Sequence, residues 1–88
     1  MSRKIYILVE GDRLLHARED RTEAWDDAHR ILRDRYAARI QAVHGGLAPV
    51  DSSHAVPYFN KYLDREYQIW IREVPLKEFM EDHGTATT

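Results

Sequence analysis

Five histidines (His16, His29, His44, His54 and His83) and 15 Asp and Glu side chains hold most of the reactive chemistry this chain offers. A metal site needs several such groups to converge, and its usual sequence sign is a pair one helical turn apart, as in H-E-x-x-H. No two of the histidines have that spacing. His44 and His54 bracket Asp51, which is as near as the chain comes to a ligand set. No metal and no other cofactor is therefore expected. For nucleophilic chemistry, Ser52 and Ser53 stand between Asp51 and His54. Adjacency in sequence is not triad geometry, in which groups from separate elements converge with an imidazole between nucleophile and carboxylate. Neither a G-x-S-x-G elbow nor a glycine-rich phosphate loop occurs. The paired carboxylates Asp26 and Asp27 fall in the first turns of a predicted helix, where they complement its dipole. An enzyme is not expected.

Those side chains must be positioned by a small set of elements. Lys4 to Glu10 reads as a strand, with Ile5, Ile7 and Val9 alternating with Tyr6 and Leu8. Gly11-Asp12 is a turn pair, and Leu14 to Arg18 returns antiparallel as a more polar edge strand. Asp20 to His44 reads as one long amphipathic helix. Asp20 and Glu23 have capping-box spacing, and Gly45-Gly46 supplies the stop. Trp25, Ala28, Leu32, Tyr36, Arg39 and Val43 fall near one line on it, and Asp27, Arg30, Arg33, Asp34 and Gln41 lie opposite. Residues 45–57 read as a loop, 58–63 as a short strand, 64–66 as a turn and 67–74 as a second strong strand. Pro75 then suits the first turn of a short helix over 76–81.

The expected fold is two-layer α+β, ordered β-β-α-(β)-β with a short C-terminal helix. A three- or four-stranded antiparallel sheet carries the long helix across one face. Residues 1–82 form one domain and 83–88 a tail. The pairing places Ile5, Ile7, Val9, Ile69 and Ile71 under the helix. Tyr6, Leu8 and Trp70 then point away from it, with Arg72 and Gln68 beside them. A solvated sheet face is normally polar, so these residues form the candidate partner-binding surface. The competing explanation is that Phe79 and Met80 of the C-terminal helix fold back over them.

Charge and composition narrow the classes further. At 43% hydrophobic and 32% charged, the chain is too apolar to be disordered. With 88 residues it has room for one core of thin stability, and without cysteine it has no disulfide to support it, so homodimerisation is the expected supplement. The net charge of −2 lacks the basic excess of a dedicated nucleic-acid binder. Arg30, Arg33 and Arg35 on the helix, with sheet aromatics to stack bases, are the alternative nucleic-acid site. A small-ligand site in the 45–57 loop is a further alternative. No apolar run approaches a membrane span or a secretory signal, so a cytoplasmic protein is expected.

Three stretches carry a resemblance: Lys4-Ile5-Tyr6-Ile7-Leu8-Val9-Glu10-Gly11-Asp12, the capped helix start Asp20 to Ala24, and Tyr67-Gln68-Ile69-Trp70-Ile71-Arg72-Glu73-Val74-Pro75-Leu76. Together they cover under half of the chain. In this pattern the chain resembles small proteins encoded by phages, those of actinobacterial phages in particular. It departs from them in its longer helix and in the Gly45–Pro57 loop. The resemblance implies a protein that binds and modulates a host enzyme or defence complex, and implies no catalytic residues. The expected function is a small non-enzymatic protein-binding module.

Overall fold

The structure, a computed structural model, describes residues 3–77. It is α+β: β1 (Lys4–Glu10), β2 (Arg13–Arg18), α1 (Arg21–His44), α2 (Ser52–Asn60), a 3-10 turn at Arg65–Tyr67, and β3 (Ile69–Pro75). The three strands form one open antiparallel sheet in the order β2-β1-β3. The helix expected over 76–81 and the tail at 83–88 fall almost entirely outside the described residues, and so do Phe79 and Met80.

The hairpin and the long helix follow from local signals. Gly11 turns β1 into β2 with φ +59°, and a Cβ there would lie 2.8 Å from the Glu66 carbonyl oxygen. Its N–H donates to the Gln68 carbonyl at 3.0 Å, tying the hairpin to the start of β3. Leu14 opposes Val9 and His16 opposes Leu8, so Leu15 is an extra residue in β2. A bulge of this kind bends an edge strand away from flat pairing. The Asp20 carboxylate accepts the Glu23 N–H at 2.9 Å and starts α1. Gly45, at φ 71°, ends the helix and donates its N–H to the Gln41 carbonyl.

Two expectations are corrected here. Residues 52–60 are helical, so the loop is shorter than 45–57 and the strand expected at 58–63 does not exist; of the three or four strands expected, the sheet has three. Ala55, Val56, Phe59 and Asn60 are buried on one face of α2 against α1, which is helical periodicity. Pro57 is tolerated inside this helix, where it removes the N–H that would have bonded to the Ser53 carbonyl. The second correction is the facing of β1. Leu8 pairs with Ile71 and Glu10 with Ile69, and directly opposed residues share a face. Tyr6 and Leu8 therefore point at the helices, and Leu8 is fully buried in the core with Ala28, Leu32, Phe59 and Ile69. Ile5, Ile7 and Val9 lie on the other face, opposite Val74, Arg72 and Trp70. A strand apolar on both sides carries no parity signal, and a one-residue error inverts it.

The core stripe of α1 keeps Ala28 and Leu32 of the predicted line, with Trp25 and Tyr36 packed against the core, and departs from it at Asp27 and Val43. Ala24, Ala28, Leu32 and Ile40 are buried, and so is Asp27, which was expected to face solvent. Val43 is 70% exposed, because the last turn of α1 extends past the core.

Candidate functional site

Each ionisable cluster suggested by the sequence has a structural occupation. Asp27 is buried and accepts from Arg18 Nε at 2.6 Å and from Arg30, and its Oδ2 lies 2.9 Å from His16 Nε2. Burial pushes this carboxyl up, but the hydrogen bonds and charges of Arg18 and His16 outweigh it and hold it below the usual carboxylate range. Buried Glu10 accepts from Arg13 Nη2 at 2.6 Å and Arg35 Nη1 at 2.8 Å. These two carboxylates link β1 and β2 to α1. Of the arginines proposed for nucleic acid, Arg30 and Arg35 are thus spent on buried carboxylates, and Arg33 Nε lies 3.5 Å from Asp34.

The serine, histidine and aspartate side chains do meet, though not in a catalytic order. Ser52 Oγ donates to Asp26 Oδ1 at 2.5 Å, and His29 Nδ1 lies 3.3 Å from the Ser52 Oγ. The hydroxyl stands between carboxylate and imidazole, so its proton is directed to Asp26 and no base relay forms. Burial, then the nearby Arg33 charge, lowers the His29 pKa. The contact ties the start of α2 to α1. His54 Nδ1 bonds to Asp51 at 2.9 Å on the surface. Among the described residues no group of three or more His, Cys, Asp or Glu is arranged to hold a metal.

The five expected partner-binding residues separate. Tyr6 and Leu8 lie on the core side. Gln68 donates Nε2–H to the carbonyls of Asn60 and Leu63 at 3.2 and 3.1 Å, closing the end of α2, and accepts from Trp70 Nε1 at 3.0 Å. Trp70, 42% exposed, and exposed Arg72 remain on the outer sheet face. Their neighbours Ile5 and Ile7 on that face are buried.

A larger unexplained surface starts at the far end of α1 and follows the loop back along it toward His29 and Arg33. The consecutive positive φ values of Gly45 and Gly46 turn the chain back, and the loop that follows exposes Leu47 and Val50 at 90% and 92%. Together with Val43, three large aliphatic side chains within eight residues face water. On the adjoining side, Tyr36, Arg39, Tyr62, Leu63, Asp64 and Tyr67 line a cleft of about 380 Å³. A smaller pocket that shares Tyr36, Arg39, Tyr62 and Leu63 with it reaches Val43 and His44. His44 stacks on Tyr62 with ring centroids 4.1 Å apart. Lys61 Nζ lies 5.0 Å from the Tyr62 ring and the Arg39 guanidinium 5.9 Å from that of Tyr36. Sequence reasoning missed this cleft because residues 58–63 read as a strand, which scatters Tyr58 and Tyr62 from α1. The usable signal was the helical spacing of Ala55, Phe59 and Tyr62.

No protein-family model, curated protein or solved structure matches the chain. Among the described residues, no helix is long and apolar enough to cross a membrane.

Proposed function

We propose that this chain is a small non-enzymatic protein-binding module that acts by covering a surface of another protein, as an inhibitor or modulator does. The observation that carries this reading is the exposure of Val43, Leu47 and Val50 at the end of α1 and along the loop after it, with Val43 reaching the tyrosine cleft. Aliphatic side chains this exposed have no role in the chain's own core, and apolar surface of this kind marks interaction sites. Tyrosine and arginine next to them are the residue types enriched where binding energy concentrates. The reading moves the contact surface from the sheet to the far end of α1.

The test is retention of a partner by the immobilised chain, identified by mass spectrometry, with Leu47→Asp/Val50→Asp as the comparison. Both side chains are exposed, so this variant should melt within about 0.5 kcal/mol of the parent. The expected result is one partner held by the parent and lost from the variant. A partner held equally by both, or none held by the parent, would overturn the proposal. Light scattering on the same samples tells whether the partner is a second copy of the chain.

A further inference from the structure

We infer that the tyrosine cleft is built for an acidic protein segment, one that seats an apolar or aromatic side chain between the rings and places a carboxylate on Arg39 and Lys61. The inference rests on the protein-binding reading and names the chemistry of the partner. Its ground is where the cations of this chain are spent. Both arginines of β2, and those of α1 from Arg30 to Arg35, lie within 4.0 Å of a carboxylate. Arg39 and Lys61 have no such partner among the described residues, and neither have Arg21, Arg65 and Arg72. What sets these two apart is that Arg39, in the cleft wall, lies over Tyr36, while Lys61 lies over Tyr62, whose ring lines the cleft, and over Tyr58. Asp64 lines the same cleft without pairing to either.

Cations over aromatic rings beside an apolar cleft offer two kinds of contact to one ligand. The volume is at the low end for small-molecule pockets and suits a single aromatic side chain. The surroundings favour a peptide over nucleic acid. Next to the cleft, Asp12, Asp64 and Glu66, with Arg65 the one cation among them, line a neighbouring depression, where a phosphate chain would meet more carboxylates than bases. A peptide needs only one carboxylate at the two cations and can turn away from that rim.

The test is selection from a displayed random-peptide library on the full chain, with affinities then measured on purified variants. Enriched peptides should combine an aromatic or large aliphatic residue with Asp or Glu. They should bind Arg39→Glu/Lys61→Glu at least about tenfold more weakly, the loss of a charge-assisted hydrogen bond. The exchange Arg39→Lys/Lys61→Arg should keep binding, and equal melting temperatures exclude a folding defect. Enrichment without an acidic bias, or binding unchanged by the charge reversal, overturns the inference. So does single-stranded oligothymidylate bound in a salt-sensitive manner and released by the same reversal, which assigns the cleft to nucleic acid. Peptides released by Leu47→Asp but not by the cleft variants sink the cleft while the protein-binding reading stands. No enrichment at all sinks both.

Discussion

At the scale of the residue, Asp27 decides how β2 is held. Its carboxylate is almost wholly inside, whereas its partners Arg18, His16 and Arg30 keep 42%, 42% and 58% of their side chains exposed. Removing the carboxylate therefore strands no buried cation, because the three bases can rehydrate. Asp27→Asn should cost about 2 kcal/mol, below the 3–5 kcal/mol typical of breaking a fully buried pair. The pH dependence follows in sign. A carboxyl held below its unfolded pKa adds stability that is present above that value and lost as pH falls through the folded one. For Asp27 the loss sets in below the ordinary value of 3.8. His29 also has its pKa lowered, mainly by burial, so folding favours its neutral ring. Its contribution is present above 6.5 and fades as pH falls through the lower folded pKa. Thermal melting against pH should then show two acid steps. His29→Gln should remove the upper one, and Asp27→Asn should shrink the lower, to which Asp51, held low by Ser53 and His54, also contributes. A curve unchanged by either substitution would disprove these assignments.

At the scale of the element, Asn60 does work that no pattern in the sequence announced. Its Nδ2 donates to the Ile69 carbonyl at 2.8 Å, and its Oδ1 accepts the Ile69 N–H at 2.9 Å. One buried side chain on α2 thus pairs the outward backbone groups of β3 as a neighbouring strand would. By alternation, Ile71, Glu73 and Pro75 are the next outward positions, and Pro75 has no N–H to offer. The open edge is blunted at both ends. Asn60→Ala should cost about 2 kcal/mol, one for each lost partner, and should speed hydrogen exchange at the Ile69 amide specifically. Asn60→Asp should behave nearly as badly, since its second oxygen would face the Ile69 carbonyl. Protection of that amide surviving both changes would show that something else closes the edge. The elements themselves were unevenly legible. β1, the capped start of α1 and its glycine stop carry local signals, and all three were readable. α2 was not, because Gly, Pro and Ser in residues 45–57 argue for a loop, and only packing on α1 overrides that preference. The charged positions misled for the same reason, since Asp27 looks solvent-facing until β2 supplies Arg18 and His16.

At the scale of the whole molecule, one end holds the fold together and the other carries the candidate site. The core joins Leu8 and Ile69 of the sheet to Ala28 and Leu32 of α1 and to Phe59 of α2. Beyond Ile40, every residue of α1 is exposed, and the loop continues so through Ala48. That division explains why the fold class could be read while the cleft could not. Hydrophobic periodicity reports what a chain buries in itself, and this surface is built from aliphatics and tyrosines left outside its core. It also sets a gradient of local stability, because segments with few buried contacts open without global unfolding. Amide exchange should be slowest from Ala24 to Ile40 and should accelerate over residues 41–46, although all of α1 is hydrogen-bonded helix. Binding at the cleft should slow exchange in residues 41–46 and leave the amides of β1 unchanged. Equal protection along all of α1 in the free protein would mean that the far end is packed as firmly as the core. Slowing confined to β1 and β3 on binding would return the contact surface to the sheet face of Trp70 and Arg72.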